Sequence, residues 1–210
     1  MYEPPLHRQP DRAAMHALIR AHPLGLLITS GPQGLLANAV PFLLEPERGE
    51  FGTLLVHVAR ANPQWRDLET AEEALVVFQG PQHYVSPSWY ETKRETHKVV
   101  PTWNYLIVQA RGRPRVTDDA PWLRAQIEAL TNKQEAGRAA PWKVADAPDD
   151  FIAMQMRAIV GVEIEIADLR GKWKASQNRN AADRAGVVAG LSADGGEDAS
   201  AIAEVVKSVG

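Results

Sequence analysis

The segment LGLLITSGPQGLLANAVPFLL, residues 24–44, decides the fold class of this chain. Two apolar stretches flank a Gly-Pro-Gln-Gly turn at residues 31–34, and this arrangement predicts a β-hairpin with strands at 24–29 and 35–44. Pro41 lies within the second strand. Because proline cannot donate to a β-ladder, its position indicates a sheet edge or a bulge.

The next informative segment is TLLVHVARANPQW, residues 53–65, which predicts a strand that runs directly into a helix. Asn62 suits the N-cap, since its side-chain oxygen can accept from N–H groups of the first turn, and Pro63 suits the first helical position. Backbone donors and a partial positive charge would then lie beside His57 and Arg60. Such a junction binds anions, and phosphate is the anion that we expect.

The rest of the chain contains more strands, then helices. Further strands are predicted at 74–79, ended by Gly80 and Pro81; at 99–117, interrupted by Pro101; and at 159–166, with Gly161, Glu163 and Glu165 on its exposed face. Helices are predicted at 12–21 behind an Asp11 cap, at 63–70, from an Asp118 or Asp119 cap to about 136, at 148–156, at 182–191 and at 197–209. Short connections and early strands favour an antiparallel barrel with helices outside it, a mainly β (α+β) fold. We expect one domain over residues 1–191 and a helical tail over 192–210.

Composition excludes several classes of protein. The 210 residues carry a net charge of −3, which argues against a purely electrostatic nucleic-acid binder. The absence of cysteine excludes disulfides, zinc-thiolate sites, iron–sulfur clusters and cysteine nucleophiles. The six histidines include no i, i+4 pair, so we predict no metal site, and no residue pattern nominates a catalytic group. The chain lacks a signal-like start and an apolar run of the ~20 residues that a membrane helix needs, which predicts a cytoplasmic protein.

Four segments mix aromatic rings with amide, hydroxyl or basic side chains: residues 53–65, 78–90, 98–105 and 171–179. A flat heteroaromatic ligand with a phosphate tail requires this combination. Structural explanations stay open for each segment. His57 can be a strand residue whose hydrogen bonds are made within the protein, and Arg60 can form a surface ion pair. Asn62 can serve only as a helix cap, and Lys172 can belong to a solvated chain end.

Together these segments resemble the PaiB family, also described as FMN-binding negative transcriptional regulators, within the FMN-binding split-barrel superfamily. The matching motifs are MYxPP (1–5), HPL (22–24), HVARANPQW (57–65), FQGP (78–81), YVSPSWY (84–90), KVVPTWNY (98–105), GVEI (161–164) and GKWKxSQNR (171–179). The resemblance extends over residues 1 to about 191.

The resemblance implies a six-stranded antiparallel split β-barrel that forms a homodimer, with FMN in a groove at the subunit interface. It places the flavin phosphate at the end of one strand and the start of the next helix, and the flavin ring against neighbouring strands. The cofactor-binding residues that we predict are His57, Ala59, Arg60 and Asn62 at the junction, Asn38, Trp103 and Asn104 toward the ring, and Lys172 as a basic contact.

The family also implies repression of transcription in bacteria, through DNA or a regulatory protein partner. We find no convincing helix-turn-helix, and the acidic pI gives that role no support. Two other functions remain open at this point. One is a flavin-dependent oxidoreductase or flavin reductase, and the other is a partner-binding barrel that has lost flavin.

Overall fold

The computed structural model describes residues 1–32 and 34–209, and within them the chain forms two compact units. Unit 1 comprises Met1–Met15, Gln79–Val108 and Arg170–Gly210. Unit 2 comprises His16–Phe78 and Gln109–Leu169.

Strands and helices alternate in short blocks along the chain. The strands are β1 (Arg8–Gln9), β2 (Leu24–Gly31), β3 (Gly34–Pro41), β4 (Leu43–Glu45), β5 (Thr53–Ala59), β6 (Ala74–Val85), β7 (Thr102–Thr117) and β8 (Ile159–Lys174). The α-helices are α1 (Arg12–Ala21), α2 (Gln64–Thr70), α3 (Glu91–Thr96), α4 (Ala120–Glu135), α5 (Asp149–Arg157), α6 (Ala181–Asp194) and α7 (Glu197–Ser208). Short 3₁₀ segments cover Pro5–His7, Pro87–Trp89 and Val144–Asp146. The predicted class, mainly β with flanking helices, is confirmed.

The predicted six-stranded barrel is wrong in strand number and closure. The sheet of the described residues has eight strands in the order β3-β2-β6-β7-β8-β5-β4, with β1 paired to β8, and its hydrogen-bonded path is open. One reason is that Pro41 ends β3, so the strand predicted at 35–44 becomes two. β3 pairs with β2, whereas β4 pairs with β5.

Local signals located several elements correctly. Helix α1 covers the predicted residues, and Asp11 Oδ1 accepts from the Ala13 N–H at 2.8 Å. The predicted hairpin forms in the register Leu24↔Pro41 to Gly31↔Gly34, although Gln33 of its turn lies outside the described residues. Asp119 caps α4 by accepting from the Trp122 N–H at 3.0 Å.

Two strands run further than predicted. β6 continues through Gly80 and Pro81. β2 pairs only with residues 75–77 of β6, so the missing N–H of Pro81 breaks no bond to β2. β8 continues past residue 166 to Lys174, and near its end β1 supplies a partner in the register Arg8↔Lys172.

Each unit has an apolar interior of its own. In unit 2 the ring centroids of Phe42 and Phe78 lie 5.6 Å apart in an edge-on arrangement. A Cβ on Gly25 would lie only 2.7 Å from the Phe78 ring, so this contact requires glycine. Half of the buried apolar side chains of unit 1 come from its last two helices, among them Val187, Leu191, Ile202 and Val206.

Candidate functional site

Arg60 directly follows β5 and forms a surface ion pair. Its Nη2 donates to Asp118 Oδ1 at 2.6 Å and to the Ile159 carbonyl at 2.9 Å, and its Nε donates to the Arg157 carbonyl at 3.0 Å. The side chains of Arg60 and Asp118 are 40% and 62% exposed. An anion at Arg60 would therefore replace an exposed carboxylate, and exposed ion pairs contribute little stability.

The helix after this junction is short. α2 has seven residues and begins at Gln64, one residue later than predicted. Pro63, and not Asn62 as predicted, is the N-cap residue, whereas Asn62 Oδ1 accepts from the Gln64 N–H at 3.0 Å from one residue further back. Two turns of helix give a weak dipole, so attraction of an anion to this junction depends mainly on Arg60.

Gln64 links two predicted site residues in unit 2. It is fully buried, and its Nε2 donates to the Leu27 carbonyl at 3.0 Å. Its Oε1 accepts from Asn38 Nδ2 at 2.9 Å, while its own N–H donates to Asn62 Oδ1. The structure thus brings Asn38 and Asn62 together through a residue that sequence reasoning missed. Its only sequence signal is its place directly after the Asn-Pro pair.

His57 also has a structural partner. Its Nδ1 lies 2.7 Å from Oε1 of Gln126, which α4 contributes. Nε2 of Gln126 is buried and has no hydrogen-bond partner within the described residues. Ala59 pairs with Ile159 at the end of the β5–β8 ladder.

A groove of about 520 Å³ adjoins Arg60 in unit 2. Arg60, Arg124 and Arg157 line it together with Asp118 and Asp149, and its apolar wall comes from Leu123, Ala153 and Met156. Half of the ten residues that line the groove are charged and half are apolar, and a cavity of this size has room for a small ligand.

The other predicted residues belong to unit 1. Trp103 is exposed, and its ring centroid lies 6.1 Å from that of Tyr84. Asn104 is fully buried, with its Nδ2 2.9 Å from Ser176 Oγ. The enclosed amide of Asn104 thus holds Ser176, whose backbone has a φ of 60°.

Lys172 is not part of a solvated chain end. It is only 8% exposed, and its Nζ lies 5.4 Å and 5.3 Å from the ring centroids of Tyr2 and Tyr105. Burying most of a lysine side chain is rare without a partner for its charge.

Glu163 of β8 is buried, which contradicts the predicted exposed face. Arg48 donates to both of its oxygens at 2.8 Å and 2.7 Å, Arg115 Nε donates at 3.0 Å, and Trp122 Nε1 donates at 2.5 Å. Burial alone would raise the pKa of Glu163, but these hydrogen bonds lower it to about 2. The face is covered because Trp122 packs on it: a Cβ on Gly161 would lie 2.3 Å from the Trp122 ring.

Residues 1–32 and 34–209 contain neither a candidate metal-binding cluster nor a candidate membrane-spanning helix. They contain no group of three or more His, Cys, Asp or Glu side chains that could hold a metal ion. None of their helices combines the length and the apolar character that crossing a membrane demands.

Comparison with known proteins settles the family. The family model described as "Putative FMN-binding domain" matches residues 1–168, well over half of the chain. The chain belongs to this family. FMN is therefore its cofactor, as predicted from the sequence.

Relatives of this FMN-binding chain occur in fungi and bacteria. It is 36% identical to Uncharacterized protein AN0679 of Emericella nidulans over 245 residues, which cover all of the chain and 98% of that protein. It is 28% identical to Protease synthase and sporulation protein PAI 2 of Bacillus subtilis over 207 residues, covering 99% of the chain and 97% of that protein. The resemblance to the PaiB family is thus confirmed.

Solved structures share the fold. The FAD and heme binding protein from Mycobacterium smegmatis has a TM-score of 0.59 at 18% identity and covers 80% of this chain and 73% of its own. The flavocytochrome Anf3 from Azotobacter vinelandii has a TM-score of 0.57 at 14% identity, covering 79% and 68%. At these identities the likeness is one of fold alone, and it supports a split-barrel-like arrangement.

Proposed function

We propose that this chain is an FMN-binding regulator of the PaiB type, with the flavin phosphate held at Arg60. The observation that carries the proposal is the exposed Arg60 guanidinium at the end of β5, beside a groove with an apolar wall. Titrating the purified chain with FMN while following flavin fluorescence tests binding. Unquenched flavin at all protein concentrations would contradict it.

The residues of unit 2 suit the chemistry of FMN. A phosphate accepts charge-assisted hydrogen bonds from Arg60, and the Arg157 side chain, which lines the same groove, makes no hydrogen bond within the described residues. Asn38 donates to Gln64 through Nδ2, which leaves its Oδ1 as an acceptor for a polar ring edge. When bound, FMN supplies redox chemistry, while these side chains bind and orient it.

The regulatory role is supported by the Bacillus subtilis relative, whose name is Protease synthase and sporulation protein PAI 2 and which matches nearly the whole chain. We propose that the flavin-loaded protein acts on transcription through DNA or a protein partner. Measuring the affinity of the protein for promoter DNA at a fixed salt concentration, with and without FMN, tests whether it contacts DNA directly. Reduction of bound flavin by NADH or NADPH with transfer to an acceptor would instead favour an oxidoreductase.

A homodimer is the second part of this proposal, and an apolar sheet face in unit 2 supports it. Strands β3, β2 and β6 are neighbours, and their outward residues are paired across the ladders, as in Leu26 with Ala39 and Val77. Apart from Ser30, the outward residues of β2, of β3 and of the paired part of β6 are apolar: Leu24, Leu26, Ile28, Leu35, Ala37, Ala39, Pro41, Leu75 and Val77. An apolar, uncharged sheet face is complementary to a second copy of itself.

We expect Leu26→Glu to shift the protein from dimer to monomer. Leu26 lies at the middle of this face and is 39% exposed, so a carboxylate there would be buried unpaired in the dimer but solvated in the monomer. Light scattering coupled to size exclusion measures the mass. Ala136→Glu, which adds the same charge at an exposed position after α4, is the control and should remain dimeric.

A further inference from the structure

Lys172 and Lys174, the lysine pair, form an unneutralised positive cluster in unit 1. They are two positions apart on β8, so their side chains lie on the same face of the strand. Their Nζ atoms lie 5.3 Å and 6.0 Å from the same Tyr105 ring centroid. Lys174 donates to the Trp103 carbonyl at 2.8 Å and to Thr102 Oγ1, whereas Lys172 makes no hydrogen bond within the described residues.

Five acidic side chains of unit 1 pair with groups other than these two lysines. Glu3 pairs with Arg8, Glu91 with Arg94, Asp183 with Thr92, Asp194 with His83 and Glu204 with Lys207. No carboxylate lies within ion-pair distance of either lysine ammonium in the part of the chain that the structure describes. A buried positive charge without a counter-charge is costly, and a bound anion would remove that cost.

Neighbouring groups experience this excess of positive charge. Burial lowers the pKa of Lys174, and Lys172 and Arg179 lower it further. Burial also lowers the pKa of His7, with added repulsion from both lysines, while its Nδ1 lies 3.0 Å from Gln177 Oε1. The N-terminal arm, β7, β8 and the loop after β8 thus enclose the cluster.

We propose that the lysine pair binds a small phosphomonoester, a second ligand beyond the FMN of the proposed function. Two ammonium groups with Arg179 nearby match the charge of a dianion better than that of a monocarboxylate. The rings of Tyr2 and Tyr105 form the walls of this site. Because Lys172 is only 8% exposed, a small anion suits it better than the backbone of a DNA duplex. In a flavin-binding regulator such a ligand acts as an effector.

The test is a calorimetric titration of the full chain, saturated with FMN, with inorganic phosphate as the probe. We expect one further equivalent to bind, and Lys174→Met to weaken that binding at least tenfold while FMN affinity is unchanged. Methionine keeps the apolar stem of Lys174 beside the Tyr105 ring, so the fold should survive, as circular dichroism checks. Lys207→Met is the matched control, since Lys207 pairs with Glu204, and it should bind phosphate like the unmodified chain.

Two results would overturn the proposal. One is that FMN-saturated protein takes up no phosphate. The other is that Lys174→Met weakens FMN by the same factor, because the lysine pair would then hold the flavin phosphate. If the unmodified chain binds no FMN, the proposed function fails, and phosphate titration without FMN still compares Lys174→Met with the unmodified chain. Should Lys174→Met unfold, Lys174→Gln, which keeps a donor for the Trp103 carbonyl, replaces it in the same comparison.

Discussion

Replacing Arg60 with alanine should weaken FMN binding by about 10- to 100-fold, because a charge-assisted hydrogen bond contributes about 1.5–3 kcal/mol. The fold should persist, since the Arg60 side chain is 40% exposed and its acidic partner is more exposed still. Fluorescence titration gives the affinity, and the thermal midpoint shows that the variant is folded. Arg66→Ala is the matched control: Arg66 lies 4.8 Å over the Trp65 ring, on the adjoining helix, and should bind FMN normally.

Asp118→Asn should act in the opposite direction. In the structure the Asp118 carboxylate accepts from the Arg60 guanidinium, the group that would donate to the phosphate. Removing its charge should therefore tighten FMN binding, by up to about fivefold, since an exposed pair is worth ~1 kcal/mol or less. If Arg60 only tied β5 to the segment before α4, Asp118→Asn would leave FMN affinity unchanged. If Arg60→Ala and Asp118→Asn both bound FMN as tightly as the unmodified chain, the phosphate would lie elsewhere.

The sequence located Arg60 but not its partner. The order strand, arginine, Asn-Pro and helix is local, so it predicts which backbone donors and caps lie together. Asp118 is 58 positions away and meets Arg60 only because β5 and β8 pair and α4 begins beside them. Long-range pairings of this kind depend on tertiary structure, which residue order alone does not specify.

The burial of two polar side chains was also not predicted from the sequence. Alternation along 159–166 predicted an exposed Glu163, and a solvated chain end was one of the interpretations left open for Lys172; both side chains are buried. In each case a distant element covers the strand: Trp122 of α4 packs over Glu163, and the N-terminal arm pairs beside Lys172. Periodicity reports which face a strand turns to the core, but not what a helix or an arm later places on its other face.

Glu163→Gln should destabilise unit 2 by about 1.5–3 kcal/mol at pH 7, because the buried amide loses the charge-assisted hydrogen bonds that Arg48 and Arg115 donate to the carboxylate. Urea unfolding at fixed protein concentration measures the loss. Glu165→Gln is the control, because Glu165 is the next outward residue of β8 and is exposed; its effect should stay within about 0.5 kcal/mol.

The pH dependence distinguishes a carboxylate effect from a packing defect. Hydrogen bonds from Arg48, Arg115 and Trp122 outweigh burial and lower the pKa of folded Glu163 from 4.5 to about 2. A depressed pKa means that the unfolded chain takes up the proton first, so this stabilisation is complete above pH 4.5 and is lost as pH falls toward 2. The unmodified protein should therefore lose more stability than Glu163→Gln on passing from pH 6 to pH 3. A constant difference between the two proteins over that range would mean that the introduced amide merely packs badly and that the charge of Glu163 contributes nothing.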